Sequence, residues 1–266
     1  MRQFDVFVWG SQFAESSSAS ITPPFTDPAL GWFFGNDLNA KLDESDAEWI
    51  VFAHESINID RTFLNDLALA IEGFPMVDAF APRVNCTPGA GPDQQKFVGG
   101  FLLRAWHGLE MIKDDAPLRF VATPHPFVAA FSKRIIQRTG RLDQSLPLGL
   151  SLIDFSLRMP HAGGKMFSLP YLVANKSTTN KQDEQAHGPT TEPYASALSF
   201  TLYKNFGFLK NIPYFIAHPS TLKDIWKNRK VLDQKRDAAI LLSKLTEKTL
   251  KEITCSRAKS SHRQAI

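Results

Sequence analysis

Trp49-Ile50-Val51-Phe52-Ala53-His54-Glu55-Ser56 is an apolar run that stops abruptly at three polar side chains. A short apolar stretch between helix and turn signals reads as a buried strand. Ligands of open α/β sheets bind beyond the carboxyl ends of their strands, so this polar tip marks the candidate site. Upstream, Gly35-Asn36-Asp37-Leu38-Asn39-Ala40-Lys41-Leu42 reads as a helix start. Downstream, Asp60-Arg61-Thr62-Phe63-Leu64-Asn65-Asp66-Leu67 opens another helix.

Working outward, Phe4 to Gly10 reads as a first buried strand, followed by a loop through Ser16-Ser17-Ser18 and Pro23-Pro24. Met76 to Val84 predicts a third strand, Cys86 to Asp93 a Pro/Gly-rich loop, and Phe97–Arg104 and Leu118–Thr123 further strands. A helix is expected over Ser132–Thr139. From Ser151 to Ala162, Leu152, Phe155 and Met159 recur at helical spacing until Gly163-Gly164 ends the element. Lys165 to Val173 resumes as a strand. Asn175 to Glu192 is polar, contains His187 and Gly188-Pro189, and reads as a flexible loop. Helices over Pro193–Asn205 and from Ser220 to about Ile253 finish the chain. Strands alternating with helices imply an α/β fold with a mostly parallel central sheet flanked by helices. The expected division is a domain over 1–190 and a C-terminal helical extension over 191–266.

Hydrophobic residues make up 43% of the 266 and charged residues 21%, which is globular and excludes wholesale disorder. The net charge of +3 is unevenly placed. Pro219 to Ile266 carries 12 Lys/Arg against 5 Asp/Glu, a local +7 that leaves about −4 for the rest. That acidic remainder, without a binding motif, argues against nucleic acid as a partner. Cys86 and Cys255 lie far apart, so neither a disulfide framework nor a Cys-rich zinc site is indicated, and a reducing cytoplasm fits. The opening residues show no basic leader with an apolar core, and no run of about 18 apolar residues occurs.

In the basic tail, Leu222, Ile225, Trp226, Leu232, Ile240, Leu241, Leu245 and Leu250 recur at helical spacing among Lys223, Lys227, Lys230, Lys235, Lys244, Lys248 and Lys251. Such a stripe packs on the chain's own domain or on a second copy of it. It also suits peripheral contact with an anionic membrane, here the inner face of the cell membrane.

Three blocks, in order, resemble glycosyltransferase family 2. The first is the Gly35-Asn36 helix feeding the Trp49 strand and its His54-Glu55-Ser56 tip. In the second, Thr139-Gly140-Arg141-Leu142-Asp143-Gln144 is similar to that family's Gly-x-Phe-Asp-Glu turn. It continues into Leu152-Ile153-Asp154-Phe155-Ser156-Leu157-Arg158 and Ala162-Gly163-Gly164-Lys165, where the family has its acidic helix and Ala-Gly-Tyr-Lys. The third is His187, after the last sheet strand. The resemblance implies a GT-A-like fold and a transferase that moves a sugar from a nucleotide-sugar donor to a hydroxyl of a glycan or lipid-linked acceptor, with inversion. It implies that Trp9, Gly10, Asn36, His54, Glu55 and Ser56 face the donor and its diphosphate, and that Asp154 is the general base.

Two departures bear on mechanism. Where the family carries Asp-x-Asp for a divalent cation, Mn²⁺ or Mg²⁺, this chain offers Glu55, with His54 and His187 as assisting ligands. Without a metal, positive side chains or backbone N–H groups must offset the leaving diphosphate. Where the family has its Glu-Asp pair, Ser151 and Leu152 stand here, leaving Asp154 as the surviving carboxylate. Asp154 is also spaced to pair with Arg158 across one helical turn. The joint erosion of both motifs supports a second reading, a degenerate member that binds or assembles without turnover. A nucleotidyltransferase would need a Gly-rich basic loop after the first strand, and Gly10-Ser11-Gln12-Phe13 does not provide one.

Overall fold

The computed structural model describes residues 3–10, 25, 27, 30–88, 95–104, 108–113, 118–177, 192–206, 212–217 and 219–241. The predicted features at 11–24, 89–94, 178–191 (with His187) and 242–266 (with Cys255 and the last lysines) lie outside the described residues.

Three strands set the frame. β1 (Phe4–Trp9) lies between β2 (Leu30–Phe34) and β3 (Trp49–His54), parallel to both. Alternation decides the packing of β3. Val51 and Ala53 face one core with Phe63 and Leu67, while Ile50 and Phe52 face another with Phe131, Ile135 and Phe155. Apolar residues on both faces are what a central strand between two helical layers requires.

Both helix starts read from the sequence form, and each is capped by an aspartate. Asp37 Oδ1 accepts from Ala40 N at 3.1 Å at α1 (Leu38–Glu44), and Asp60 Oδ1 accepts from Phe63 N at 2.8 Å at α2 (Arg61–Gly73). Each cap satisfies one of the amides a helix start leaves bare.

The sheet is mixed rather than mostly parallel. Its order is β2-β1-β3-β10-β5-β11-β9, with β5 at Ala79–Phe80, β9 at Arg119–Phe120, β10 at Val128–Ser132 and β11 at Met166–Ser168. β10 runs antiparallel to both β3 and β5, and β9 antiparallel to β11. The cause is connectivity. After β3 the chain alternates between this sheet, at β5 and β9, and a second one, and β10 then starts with Val128 beside Ala53 at the carboxyl end of β3, so it has to run back along it.

That second sheet has the order β4-β12-β6-β7-β8, from β4 (Ile57–Asn58), β6 (Arg83–Asn85), β7 (Phe97–Arg104), β8 (Gly108–Lys113) and β12 (Val173–Lys176). Three chain segments pass from the first sheet into it: β3 to β4 through Glu55-Ser56, β5 to β6 through Ala81-Pro82, and β11 to β12 through 169–172. The predicted strand over Met76–Val84 is therefore two short strands, as is the one from Lys165. β7 bulges between Val98 and Phe101, and a Cβ on Gly100 would stand 2.3 Å from the Thr123 carbonyl oxygen. Only glycine admits that approach.

The helical layer follows. α3 (Lys133–Thr139) is capped by Ser132, and α4 (Leu148–Arg158) runs into a 3₁₀ turn, Met159–Ala162. Gly163, at φ +79°, ends that turn in the left-handed region, as the Gly163-Gly164 pair predicts. α5 (Glu192–Phe206), α6 (Ile212–Ala217) and α7 (Ser220–Leu241) complete the described chain. On α7, Ile225 and Leu232 are buried with Tyr203 and Phe215, so part of the tail's apolar stripe packs on the protein itself. Leu222 is 36% exposed and Trp226 71% exposed. Among the described residues, no helix is long and apolar enough to cross a membrane.

Candidate functional site

The β3 tip, the end of β1 and the start of α1 converge. Glu55 N donates to Trp9 O at 2.8 Å, and Gly10 N donates to Asn36 Oδ1 at 3.3 Å. A Cβ on Gly10 would come within 2.2 Å of Glu55 Cδ, so the Glu55 carboxyl lies directly across this glycine. Gly10, Asn36 and Glu55, three of the residues assigned to donor contact, thus form one patch, whereas Trp9 joins it through its carbonyl alone and keeps its indole buried in the core on the α4 side. The intruding atoms belong to the far end of a flexible side chain. Gly10→Ala is therefore expected to push the Glu55 carboxylate aside while leaving the melting temperature nearly unchanged. Thermal denaturation beside a ligand titration checks this.

His54 and Ser56 turn the other way. His54 shares the parity of Ile50 and Phe52, so the strand pleat directs it toward the α4 side of the sheet. It is 1% exposed, stacked on Phe127 at 4.8 Å and edge-on to Trp9 at 4.5 Å. Ser56 N donates to His54 Nδ1 at 3.1 Å, and Ser56 Oγ stands 2.7 Å from the same nitrogen. An Nδ1 that accepts a backbone N–H carries no proton and has spent its lone pair. Ser56, also 1% exposed, is held in this inward turn.

Beyond Glu55 opens a polar cleft of about 570 Å³ on the second sheet, lined by Glu55, Asn58, Asn85, Asn175, Lys176 and Ser177 among others. Asn58, Asn175 and Asn85 are in register across three adjacent strands, β4, β12 and β6, and Asn85 Nδ2 donates to Asn175 Oδ1 at 3.2 Å. The row and Lys176 escaped the sequence reading. Their signal was three asparagines, each beside aliphatic residues: Ile57-Asn58-Ile59, Val84-Asn85 and Ala174-Asn175.

Behind the tip, His125 meets Phe127 edge-on at 5.1 Å, and its Nδ1 accepts from Phe127 N at 3.3 Å. Burial, with the Lys176 ammonium nearby, pushes His125 down from 6.5 to about 3. Trp9, His54, Phe127 and His125 thus form a continuous series of ring contacts behind the β3 tip.

Asp154 lies elsewhere. It is fully buried in α4, with Oδ2 accepting from Arg158 Nε at 3.0 Å, and Oδ1 from Lys204 Nζ at 2.7 Å and Asn205 Nδ2 at 3.0 Å. Arg158 also donates to the Thr139 and Arg141 carbonyls, which ties α4 to the end of α3. The part of α4 that reaches the tip is its first turn, where Gly149 abuts Pro126 and Trp9.

Asp143, in the turn similar to Gly-x-Phe-Asp-Glu, continues this network. It meets Lys204 and Lys235 at 2.9 Å and Ser145 Oγ at 2.6 Å. Burial raises its pKa, but the Ser145, Lys235 and Lys204 hydrogen bonds and the Lys204 charge outweigh that and hold it well below 3.8.

These two groups contribute acid sensitivity in different windows that overlap between about pH 3 and 3.8. Unfolded His125 binds a proton between pH 6.5 and about 3 that the folded form refuses, so stability falls as pH drops through that window. Asp143 contributes stability that is complete above its ordinary pKa of 3.8 and is lost only below it. Urea midpoints against pH are expected to show both limbs, with His125→Gln flattening the upper and Asp143→Asn the lower.

Among the described residues, the tip offers a divalent cation one outward-facing acidic group, Glu55. Two of its three polar groups, His54 and Ser56, face inward, and Glu55 and Lys176 both line the cleft. Among the described residues, no group of three or more His, Cys, Asp or Glu could hold a metal ion. His187 lies outside them.

No family model matches the sequence, and no curated protein is detectably similar to it. Solved structures are similar in shape. The crystal structure of GalNAc-T7 with UDP, GalNAc and Mn²⁺ aligns with 89% of this chain at a TM-score of 0.56 and 10% identity. The chain has a GT-A-like fold. It spans 54% of the length of that structure. The mannosyltransferase PcManGT from Pyrobaculum calidifontis, in complex with GDP-Man and Mn²⁺, aligns with 91% of this chain and 73% of its own, at a TM-score of 0.48 and 14% identity.

Proposed function

We propose that this protein is a glycosyltransferase of the family 2 type that binds a nucleotide-sugar donor in the cleft beyond Glu55. It passes the sugar, with inversion, to a hydroxyl of a glycan or lipid-linked acceptor in polysaccharide or cell-envelope glycan synthesis. Residues 1–190 act as the donor-binding and catalytic domain, and 191–266 as a helical extension that braces it. The observation that carries this reading is the place of the cleft: a polar cavity at the carboxyl tip of β3, where three chain segments of a GT-A-like fold cross between sheets.

In an inverting transfer, the acceptor oxygen attacks the anomeric carbon, the bond from that carbon to the diphosphate breaks, and a base takes the hydroxyl proton. Asp154 is the base that the family resemblance implies. Serving so would require it to leave Lys204, Asn205 and Arg158, whereas the Glu55 carboxylate already lines the cleft. We therefore assign proton transfer to Glu55 and to Asp154 the anchoring of α5 on α4. Glu55→Gln is expected to lower turnover by roughly 10²–10⁴-fold with the fold intact, measured as sugar release from the donor.

The test is calorimetric titration with UDP-, GDP- and dTDP-sugars followed by a donor-hydrolysis assay. Binding of one donor with its cleavage supports the proposal. Binding without cleavage, with acceptor glycans supplied, favours a binding or assembly subunit, a reading that the burial of Asp154 in an ion network also suits.

A further inference from the structure

We propose that Lys176 takes the place of a divalent cation at this site, so that the protein binds the diphosphate of its donor without a metal. The inference rests on the donor-binding reading above.

Geometry carries it. A pair of carboxylates facing a diphosphate repels it until a cation bridges them, and this tip has no such pair. His54 Nδ1 is spent on Ser56 N, and Ser56 is buried against that ring, which leaves Glu55 as the acidic group among the described lining residues. Lys176 lines the same cavity and ends β12, where its partner across the strand pair is Ile57, two residues beyond Glu55. A metal ion bound at Glu55 would share this cavity with Lys176, a neighbour that carries positive charge of its own. A diphosphate in the cavity would instead have Lys176 and residues of the Asn58, Asn175 and Asn85 row in its wall. Those amides can donate to oxygens and add no negative charge. The position of the charge is felt across the site: Lys176 is one of the two causes holding down the His125 pKa.

The experiment is calorimetric titration of the full chain with UDP, GDP and dTDP, once in EDTA and once in Mn²⁺, for the unaltered protein, Lys176→Gln and Lys176→Arg. At least one nucleoside diphosphate is expected to bind with similar affinity in both buffers. Lys176→Gln is expected to weaken it by roughly tenfold to a hundredfold in both, and Lys176→Arg to restore most of the loss, with melting temperatures confirming that both variants fold. Binding that requires Mn²⁺, or binding that is indifferent to Lys176→Gln, overturns the inference and leaves donor binding standing. Absence of binding for every nucleotide in both buffers overturns the donor reading and the inference together.

Discussion

Asp154→Ala is expected to cost about 3–5 kcal/mol of folding stability, because it leaves Lys204 and Arg158 as buried or half-buried cations without their shared carboxylate. Lys204 is 6% exposed at its side chain and would keep only Asp143, which it already shares with Lys235. The loss appears as a lower urea midpoint with an unchanged m-value. Replacing Asp154 and Lys204 together by apolar residues of similar volume is expected to recover part of it, since a buried pair removed as a unit leaves less uncompensated charge. Nucleotide binding by the folded fraction should survive, because the Asp154 network does not line the cleft beyond Glu55. A folded, normally stable Asp154→Ala protein that binds donor but has lost turnover would instead make Asp154 the base.

Phe131→Ala carries an expected cost of similar size, about 3–5 kcal/mol, from the transfer of a large side chain and the cavity left behind. Phe131 is fully buried on β10 and lies edge-on to Phe52 of β3 at 5.9 Å and to Phe155 of α4 at 5.0 Å. It joins the central sheet to the helix that carries Asp154. Denaturant unfolding measures the loss. Phe131→Leu should cost less, since more of the volume remains filled. A loss below about 1 kcal/mol for the alanine variant would mean that the neighbouring rings close the gap.

The parts of the fold legible in the sequence were those set by local chemistry. Asp37 and Asp60 cap their helices because an acidic side chain before an apolar-periodic run satisfies bare amides. The β3 run was legible because five apolar residues before a polar tip describe a strand buried on both faces. What was hidden depended on long-range register. β10 was missed because Val128-Ala129-Ala130 offers little bulk and follows Pro124-His125-Pro126, which reads as loop. Its antiparallel direction, and so the mixed sheet, follows from its start beside Ala53 at the carboxyl end of β3.

The same distinction runs through the site. Glu55, Gly10 and Asn36 were legible as a group because they occupy consecutive element ends. The inward turn of His54 was not, since it depends on strand parity and on Phe127 arriving from β10's approach to stack on the ring. The asparagine row exists only when β4, β12 and β6 are laid side by side. Asp154 matched the spacing of both an acidic-helix carboxylate and an ion-pair partner for Arg158, and the pair is what forms, strengthened by Lys204 from a helix 50 residues later in the chain.

The most direct test of the donor cleft is the crystal structure of this protein soaked with the nucleoside diphosphate that binds it. The account predicts diphosphate density in the cavity between Glu55 and Lys176, with oxygens in hydrogen-bonding reach of Lys176 and the Asn58, Asn175 and Asn85 row. Density for the nucleotide at any other face of the molecule, with that cavity holding only solvent, would contradict it.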